Sequence, residues 1–168
     1  MFAMLALSIP PAAWIVAALN DIKALRIPNW ISIALIASYP VAGLLAGISL
    51  GDIGLNLLLG VVVLFMGMGL FAFKILGGGD AKLIAASVPW VGMSALWIFL
   101  FKVALIGGLV AVALMMFRKS PLLPVYAQAP WILKLHQSGQ QIPYGIAIAG
   151  GGLWTLPQTQ IFLSVFGV

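Results

Sequence analysis

Long apolar segments alternate with short polar segments along this chain. Residues 30–51, 53–73 and 92–117 each meet or approach the roughly 20 apolar residues that a helix needs to cross the hydrocarbon of a bilayer. Because lipid offers the backbone no hydrogen-bond partners, a spanning segment forms a helix or part of a closed barrel. Barrel strands are short and alternate apolar with polar residues, whereas these segments are continuous. The pattern therefore predicts membrane-spanning helices.

We expect an all-α polytopic membrane protein that forms a single domain over residues 1–168. The predicted helices number about six and cover residues 2–19, 29–50, 53–74, 80–91, 93–117 and 143–166. The first is expected to bend or restart at Pro10 and Pro11, since proline disrupts a helix interior. It has no basic residue at its start, so we interpret it as a retained helix and not as a secretory signal peptide.

The segment 118–141 differs from the rest of the chain. It contains Pro121, Pro124 and Pro130, and it is too polar to span a membrane. We expect a loop, part of which lies on the membrane surface through Trp131 and residues 133–135.

Composition supports a membrane protein. Hydrophobic residues make up 64% of the chain and charged residues only 7%, whereas a soluble domain carries roughly 25% charged residues. The net charge of +5 could suggest nucleic acid in a soluble protein. Here the basic residues lie between apolar segments, so the lipid bilayer explains them and no nucleic-acid partner is expected. The chain has no cysteine, which excludes disulfides and thiolate metal sites.

The basic residues predict an orientation. If six helices alternate in direction, the first, third and fifth loops face one side and hold seven of the eight basic residues. The positive-inside rule makes that side cytoplasmic. The eighth, Lys102, falls inside the fifth predicted helix. An intramembrane lysine is a functional hypothesis by default, but we favour a structural role in which it pairs with a carbonyl group or extends toward an interface.

The chain has only three acidic residues, Asp21, Asp52 and Asp80. Asp52 is expected on the far side, where it would cap the third helix. Asp21 follows the first predicted helix and Asp80 begins the fourth, so both are expected at the cytoplasmic face. Either could be an ordinary helix-end residue. Their placement on one face, and the three glycines before Asp80, favour a shared site.

The glycines Gly77, Gly78 and Gly79 are hard to explain as packing. Each lowers helix stability by about 1 kcal/mol relative to alanine. Glycine is useful where the backbone needs unusual angles or where something must approach closely. A protease has this requirement, because an extended substrate lies beside the carboxylate.

Two neighbouring carboxylates predict acid–base chemistry. They share a proton, since both cannot ionise easily. The ionised one takes a proton from water and the protonated one donates to the scissile carbonyl group. Because Asp80 lies at a helix N-terminus, where negative charge is favoured, our hypothesis makes Asp80 the ionised member and Asp21 the acid.

Three segments resemble the signatures of the type IV prepilin peptidase family. Asp21-Ile22-Lys23 with Ile27-Pro28-Asn29 resembles the first signature and Gly77–Lys82 the second, of the form G-x-G-D-x-K. Residues 142–147, Ile-Pro-Tyr-Gly-Ile-Ala, resemble a third stretch of the short members linked to tight-adherence pili. The segments occur in the expected order, so the resemblance covers nearly the whole chain.

The resemblance implies a multi-pass aspartic endopeptidase of the bacterial inner membrane. Such enzymes cut the short basic leader from prepilins and pseudopilins at the cytoplasmic face, just before the hydrophobic helix of the substrate. It implies Asp21 and Asp80 as the catalytic pair, no metal or cofactor, and pilus-assembly components as further partners. Longer members carry a cytoplasmic segment with paired cysteines that is tied to N-methylation. This sequence has no cysteine, and we do not predict methyltransferase activity.

Residues beside the aspartates are candidate supporting residues. Pro28 is suited to begin the second helix, and Asn29 could hydrogen-bond the loop that carries Asp21. Lys23 and Lys82 each lie two residues after an aspartate. They could hold the carboxylates ionised or orient the loop, or they could bind anionic lipid head groups.

Two further candidates, Tyr144 and Gly145, open the last predicted helix on the same face. The tyrosine could line the site, or it could anchor the protein at the interface.

Two other functions remain open from the sequence. A small proton- or ion-coupled transporter also uses intramembrane carboxylates and broken helices, although both acids here are expected at one surface and not near the midplane. A non-catalytic subunit of a pilus or secretion complex is the second alternative, but it would not need an aspartate after three glycines.

Overall fold

The computed structural model describes residues 2–121, 129–139 and 141–167. Within these residues the chain forms α-helices joined by turns, in the order α1 Phe2–Leu7, α2 Ile9–Ala24, α3 Asn29–Leu45, α4 Leu50–Ala72, α5 Gly78–Val91, α6 Leu96–Lys119, α7 Pro130–Gln137, α8 Tyr144–Thr155 and α9 Gln160–Phe166. Short 3₁₀ turns, Met93–Ala95 and Leu156–Gln158, precede α6 and α9. The predicted all-α class is confirmed.

Three helical stretches are long and apolar enough to cross a bilayer. They are Phe2–Ala24, Leu50–Ala72 and Met93–Lys119. Helix α3 is also apolar but has only 17 residues, and α5 has 14. These apolar helices make the chain a membrane protein.

The first predicted helix breaks near its prolines and then continues beyond its predicted end. Helix α2 starts just after Ser8, with prolines in its first turn, where a missing N–H is tolerated. The predicted end at residue 19 is wrong, because α2 continues to Ala24. Asp21 therefore lies inside the last turns of the helix and not after it. The helix ends at Leu25, which has a left-handed φ of 53° and donates its N–H to the Asp21 carbonyl oxygen at 2.8 Å.

The next connection also differs from the prediction. Helix α3 ends at Leu45, earlier than predicted, and α4 starts at Leu50 instead of residue 53. The N-cap of α4 is Ser49 and not Asp52. The Ser49 hydroxyl accepts a hydrogen bond from the Asp52 N–H at 3.1 Å and donates to Asp52 Oδ2 at 2.8 Å, as cap residues do.

The predicted helix 143–166 is wrong as a continuous element. The chain forms α8, a 3₁₀ turn that contains Pro157, and then α9. Proline removes a helical hydrogen bond and clashes with the preceding turn, so it explains the break.

The predicted loop 118–141 contains helical structure at both ends. Helix α6 continues to Lys119, and residues 130–137 form α7. In α7, Trp131 is 42% exposed whereas Leu135 is buried. One face of this helix therefore packs against the rest of the protein and the other is exposed. Residues 122–128 and 140, which include Pro124, lie outside the described residues.

Helix α5 lies at the centre of the bundle and is buried along most of its length. The buried Trp14 of α2 donates its indole N–H to Ser87 Oγ at 2.8 Å, and Trp90 of α5 donates to the Leu35 carbonyl oxygen of α3 at 2.9 Å. These long-range hydrogen bonds satisfy buried donors and join α5 to both neighbours.

Glycines bring α2, α6 and α8 close together. A Cβ at Gly152 of α8 would lie 2.7 Å from the ring of Trp14, and one at Gly107 of α6 would lie 2.7 Å from Tyr144. Small residues at such positions let membrane helices approach closely. This packing places the end of α2, which carries Asp21, beside the start of α8.

Candidate active site

Asp21 and Asp80 line the same cavity, which we call the aspartate cavity. It has a volume of about 970 Å³ and lies between the ends of α2 and α4 and the starts of α3, α5 and α8. Its lining includes Asp21, Leu25, Arg26, Asn29, Phe71, Lys74, Gly77, Gly78, Gly79, Asp80, Gln141 and Tyr144. The fold thus brings together two acidic residues that are 59 positions apart in the sequence.

Asp21 is held by the start of α8. Its side chain is 5% exposed, and its Oδ2 accepts a hydrogen bond from the Gly145 backbone N–H at 2.7 Å. A Cβ at Gly145 would lie 2.9 Å from Asp21 Cβ and 3.0 Å from Oδ2. Only glycine leaves room for the carboxyl group to reach this N–H, which gives Gly145 a physical role in the site.

Asp80 lies in the first turn of α5, after Gly77 at the N-cap position. The Gly77 backbone N–H hydrogen-bonds the Asp80 carboxyl group. A Cβ at Gly77 would collide with Asp80 Oδ2. This glycine therefore lets the carboxyl group fold back over the helix start.

The other two glycines have close neighbours as well. A Cβ at Gly78 would lie 3.3 Å from the ring of Phe71, and one at Gly79 would lie 3.3 Å from Ile27 Cβ. Packing therefore does explain these glycines in part, contrary to the interpretation from sequence. Together they bring α5 against both α4 and the α2–α3 connection.

The environment of Asp80, which lies outside the three long apolar helices, bears on the protonation hypothesis. Burial raises the pKa of Asp80 to about 7, and the negative charge of Asp21 contributes to the increase, although the hydrogen bond from Gly77 opposes it. The raised pKa favours Asp80 as the protonated member of the pair, opposite to the hypothesis from sequence, and which aspartate carries the proton stays a prediction.

The predicted supporting residues divide into two groups. Asn29 and Tyr144 line the cavity. Asn29 Oδ1 accepts a hydrogen bond from Lys82 Nζ at 3.2 Å. Within the described residues, Asn29 therefore bonds α5 and not the loop after Asp21, and Lys82 does not itself line the cavity. Lys23 and Pro28 are not among the lining residues. Lys23 is exposed in the last turn of α2 and Pro28 precedes α3.

Sequence reasoning did not assign Arg26, Lys74 or Gln141 to the site, yet all three line the cavity. Among the described residues, the two non-glycine residues with positive φ are Leu25, at 53°, and Lys74, at 59°. Both line the cavity, and such strained backbone clusters at functional sites. No sequence signal marks a positive φ at leucine or lysine.

A basic clamp fixes the segment before α8. The guanidinium group of Arg118, at the end of α6, donates to four acceptors in residues 135–141. These are Leu135 O at 3.0 Å, Ser138 Oγ at 2.9 Å, and the carbonyl oxygens of Gly139 and Gln141. Lys134 Nζ donates to the Ala24 carbonyl oxygen at 2.7 Å. The clamp therefore connects the cavity-lining Gln141 to α6, and α7 to the end of α2.

Lys102 lies in a different part of the protein. It is 5% exposed, and its Nζ donates to the Trp154 carbonyl oxygen at 3.1 Å and to Gln158 Oε1 at 3.2 Å. It also lies 5.1 Å from the centre of the Trp154 ring. The expected pairing with a carbonyl group is confirmed.

Comparisons with a family model and with curated proteins both find leader peptidases. A family model described as the type IV leader peptidase family matches residues 9–112. The prepilin leader peptidase/N-methyltransferase of Aeromonas hydrophila is 30% identical over 166 residues, which cover 91% of this chain and 51% of that protein. The protein of the same name from Aeromonas salmonicida (strain A449) is 30% identical over 164 residues, 90% of this chain and 50% of that protein. The chain spans about half the length of these curated relatives, and no solved structure matches it.

Proposed function

The chain belongs to the type IV leader peptidase family, and from this premise we propose that it is an aspartic endopeptidase that removes the N-terminal leader of prepilins or pseudopilins. The observation that carries the proposal is the aspartate cavity, in which Asp21 and Asp80 face one space large enough for an extended peptide. The curated relatives are named prepilin leader peptidases, which supports the same substrate class.

The mechanism uses the two carboxyl groups in complementary roles. Asp21, oriented by the Gly145 N–H, takes a proton from water while the water oxygen attacks the scissile carbonyl carbon. Asp80 donates its proton to the carbonyl oxygen, which gives a gem-diol. Asp21 then passes its proton to the leaving nitrogen as the C–N bond breaks. A hydroxyl group of the gem-diol returns a proton to Asp80, so both residues regain their starting states.

The cavity belongs at the cytoplasmic face of the inner membrane in this proposal. Basic residues surround this end of the bundle. Arg26 and Lys74 line the cavity, and Lys82 and Lys134 contact its surrounding elements. The positive-inside rule places such an end in the cytoplasm. The arrangement of about six membrane passes stays a prediction.

Cleavage of a prepilin-like substrate by the purified protein tests the proposal. The unsubstituted protein should remove the leader, and Asp21→Ala or Asp80→Ala should each lower the rate by about 10²–10⁴-fold, the range for loss of a general acid or base. Asp52→Ala is the matched control. It removes the remaining aspartate, which contacts Ser49 and does not line the cavity, so it should cleave normally.

Cleavage that survives both substitutions would contradict the aspartic mechanism. If the unsubstituted protein cleaves no pilin-like leader, the peptidase proposal fails and a transporter or a non-catalytic subunit takes its place.

A further inference from the structure

A second cavity, which we call the lateral groove, runs along the bundle between α3, α4 and α5. Its volume is about 570 Å³, and its lining is almost entirely apolar. Each helix contributes one face to it, with lining residues spaced three or four apart. On α4 these are Leu57, Gly60, Val61, Leu64, Met68 and Phe71. Such spacing defines a single helix face.

The packing of the three helices keeps the groove open. Helices α3 and α4 both pack on α5 but make few contacts with each other. A Cβ at Gly60 would lie 3.0 Å from the Ala85 carbonyl oxygen, so glycine lets α4 approach α5 closely at the floor. On the walls, Ile33 is 64% exposed and Val61 is 47% exposed. The groove therefore presents apolar side chains with space between them.

The lateral groove adjoins the aspartate cavity. Asn29, Phe71 and Gly78 line both, so one end of the groove reaches the first turn of α5, which carries Asp80. It follows α4 from Phe71 to Leu57, about 21 Å at about 1.5 Å per residue. That length is about two thirds of the roughly 30 Å hydrocarbon thickness of a bilayer.

One polar group in the groove lacks a partner. Ser32 is 6% exposed, and its hydroxyl makes no hydrogen bond among the described residues. Ser32 lines the groove. Buried polar atoms are usually hydrogen-bonded, so a rotation of this buried hydroxyl toward the groove would let an occupant with a donor or acceptor supply the missing partner.

We infer that the lateral groove binds the apolar helix that follows the leader of the substrate, so that the leader and the scissile bond enter the aspartate cavity. The inference rests on the proposed function and identifies how the substrate is held. A polypeptide that continues from the cavity into the membrane must satisfy its own backbone hydrogen bonds, which favours a helix. A groove lined by three ridged helix faces suits a packed fourth helix. A polar atom of such a helix can pair with Ser32 once that hydroxyl rotates toward the groove, whereas a lipid tail offers no such atom.

Neighbouring valines on α4 allow a matched kinetic test. Val61 lines the groove and Val62 does not, although the two side chains are 47% and 48% exposed. With a full-length prepilin that carries its apolar helix, Val61→Trp should raise KM at least tenfold and change kcat less than twofold. Val62→Trp should change both less than twofold. Equal effects of the two substitutions, or a loss confined to kcat, would overturn the inference.

Crosslinking tests the same contact without catalysis. The chain has no cysteine, so Met68→Cys in the groove and Met66→Cys outside it give single thiols at side chains that are 53% and 66% exposed. With a cysteine placed along the apolar helix of the substrate, in an Asp80→Asn background, Met68→Cys should crosslink at least tenfold more than Met66→Cys. Equal crosslinking, or none at Met68→Cys, would assign the groove to lipid and overturn the inference. Absence of cleavage by the unsubstituted protein would instead contradict the proposed function alone.

Discussion

Two regions of this protein each bury an ionisable side chain, but the surroundings of the two side chains differ. Asp21 and Lys102 are each 5% exposed. Lys102 has a carbonyl oxygen, an amide oxygen and an aromatic ring around its ammonium group, and it lines neither of the two cavities. Among the described residues, the Asp21 carboxyl group accepts one hydrogen bond, from the Gly145 N–H, and it lines a cavity of about 970 Å³.

Burial alone therefore does not identify a functional charge in a membrane bundle. The ammonium group of Lys102 is occupied by fixed partners, so it stabilises the connection between α6 and the end of α8. The aspartates instead line an open cavity, where water and substrate can approach them. Perturbed acids in a cleft are functional candidates, whereas a satisfied buried charge is a structural one. The following experiments test whether this distinction holds.

The largest effect is expected from pH. Because the pKa of Asp80 is raised to about 7, Asp80 is protonated below pH 7 and can act as the acid. Above pH 7 it loses that proton, so cleavage should fall about tenfold per pH unit and about 100-fold by pH 9. Rates of leader cleavage between pH 5 and 9 measure this limb. A rate that stays constant to pH 9 would contradict the assignment. In Asp21→Asn protein, any residual cleavage should show the same limb at lower pH, because the negative charge of Asp21 contributes to the raised pKa of Asp80.

The substitution Gly145→Ala should have the next largest effect. The added Cβ would lie 2.9 Å from Asp21 Cβ, so the carboxyl group must move away from the N–H that orients it. A displacement of about 1 Å in an active site can cost about 100-fold, and we expect a loss of about 10–100-fold in kcat. Gly108→Ala is the control, since no atom lies within 4 Å of its added Cβ. Equal activity of the two variants would show that Asp21 does not need this contact.

The clamp that connects α6 to the cavity-lining segment predicts a smaller effect. Arg118→Ala removes four hydrogen bonds to residues 135–141, so Gln141 should be less well positioned. We expect kcat/KM to fall about tenfold, which is about 1.4 kcal/mol. Lys119→Ala is the adjacent control. Because Lys119 is exposed, this substitution should leave the rate of leader cleavage unchanged. If both variants cleave alike, the clamp has no part in the site.

Hydrophobic length predicted much of the fold. It located α4 and α6 within a few residues, because long apolar segments must satisfy their backbone as helices in lipid. It could not place the C-terminal end of α2 or the exact start of α4. Those two positions depend on local contacts, the left-handed Leu25 and the Ser49 cap. Each such contact contributes little free energy compared with the transfer of a long apolar segment into lipid, so the hydrophobic pattern does not reveal it.

The candidate site was predictable only in part, for a related reason. The scarcity of acids and the glycines before Asp80 pointed to the pair, and the fold places both aspartates on one cavity. The roles of Gly145 and Arg118 depend on contacts between segments far apart in the sequence. Asp21 and Gly145, for example, are 124 positions apart. Periodicity and composition carry no information about such a distance, and the protonation of Asp80 depends on burial that only the folded chain creates.

The smallest effect on cleavage is expected at Lys102, and it tests the comparison directly. Lys102→Met keeps an apolar stem of similar length but leaves the Trp154 carbonyl oxygen without its donor. The free energy of unfolding should fall by about 1–3 kcal/mol, the cost of an unpaired buried group, as measured by denaturation in detergent. Leader cleavage by the folded fraction should change less than twofold, because Lys102 does not line the aspartate cavity. If Lys102→Met lowered kcat as much as Gly145→Ala, the buried lysine would belong to the catalytic arrangement. The distinction between a buried charge with fixed hydrogen-bond partners and one that lines a cavity would then fail.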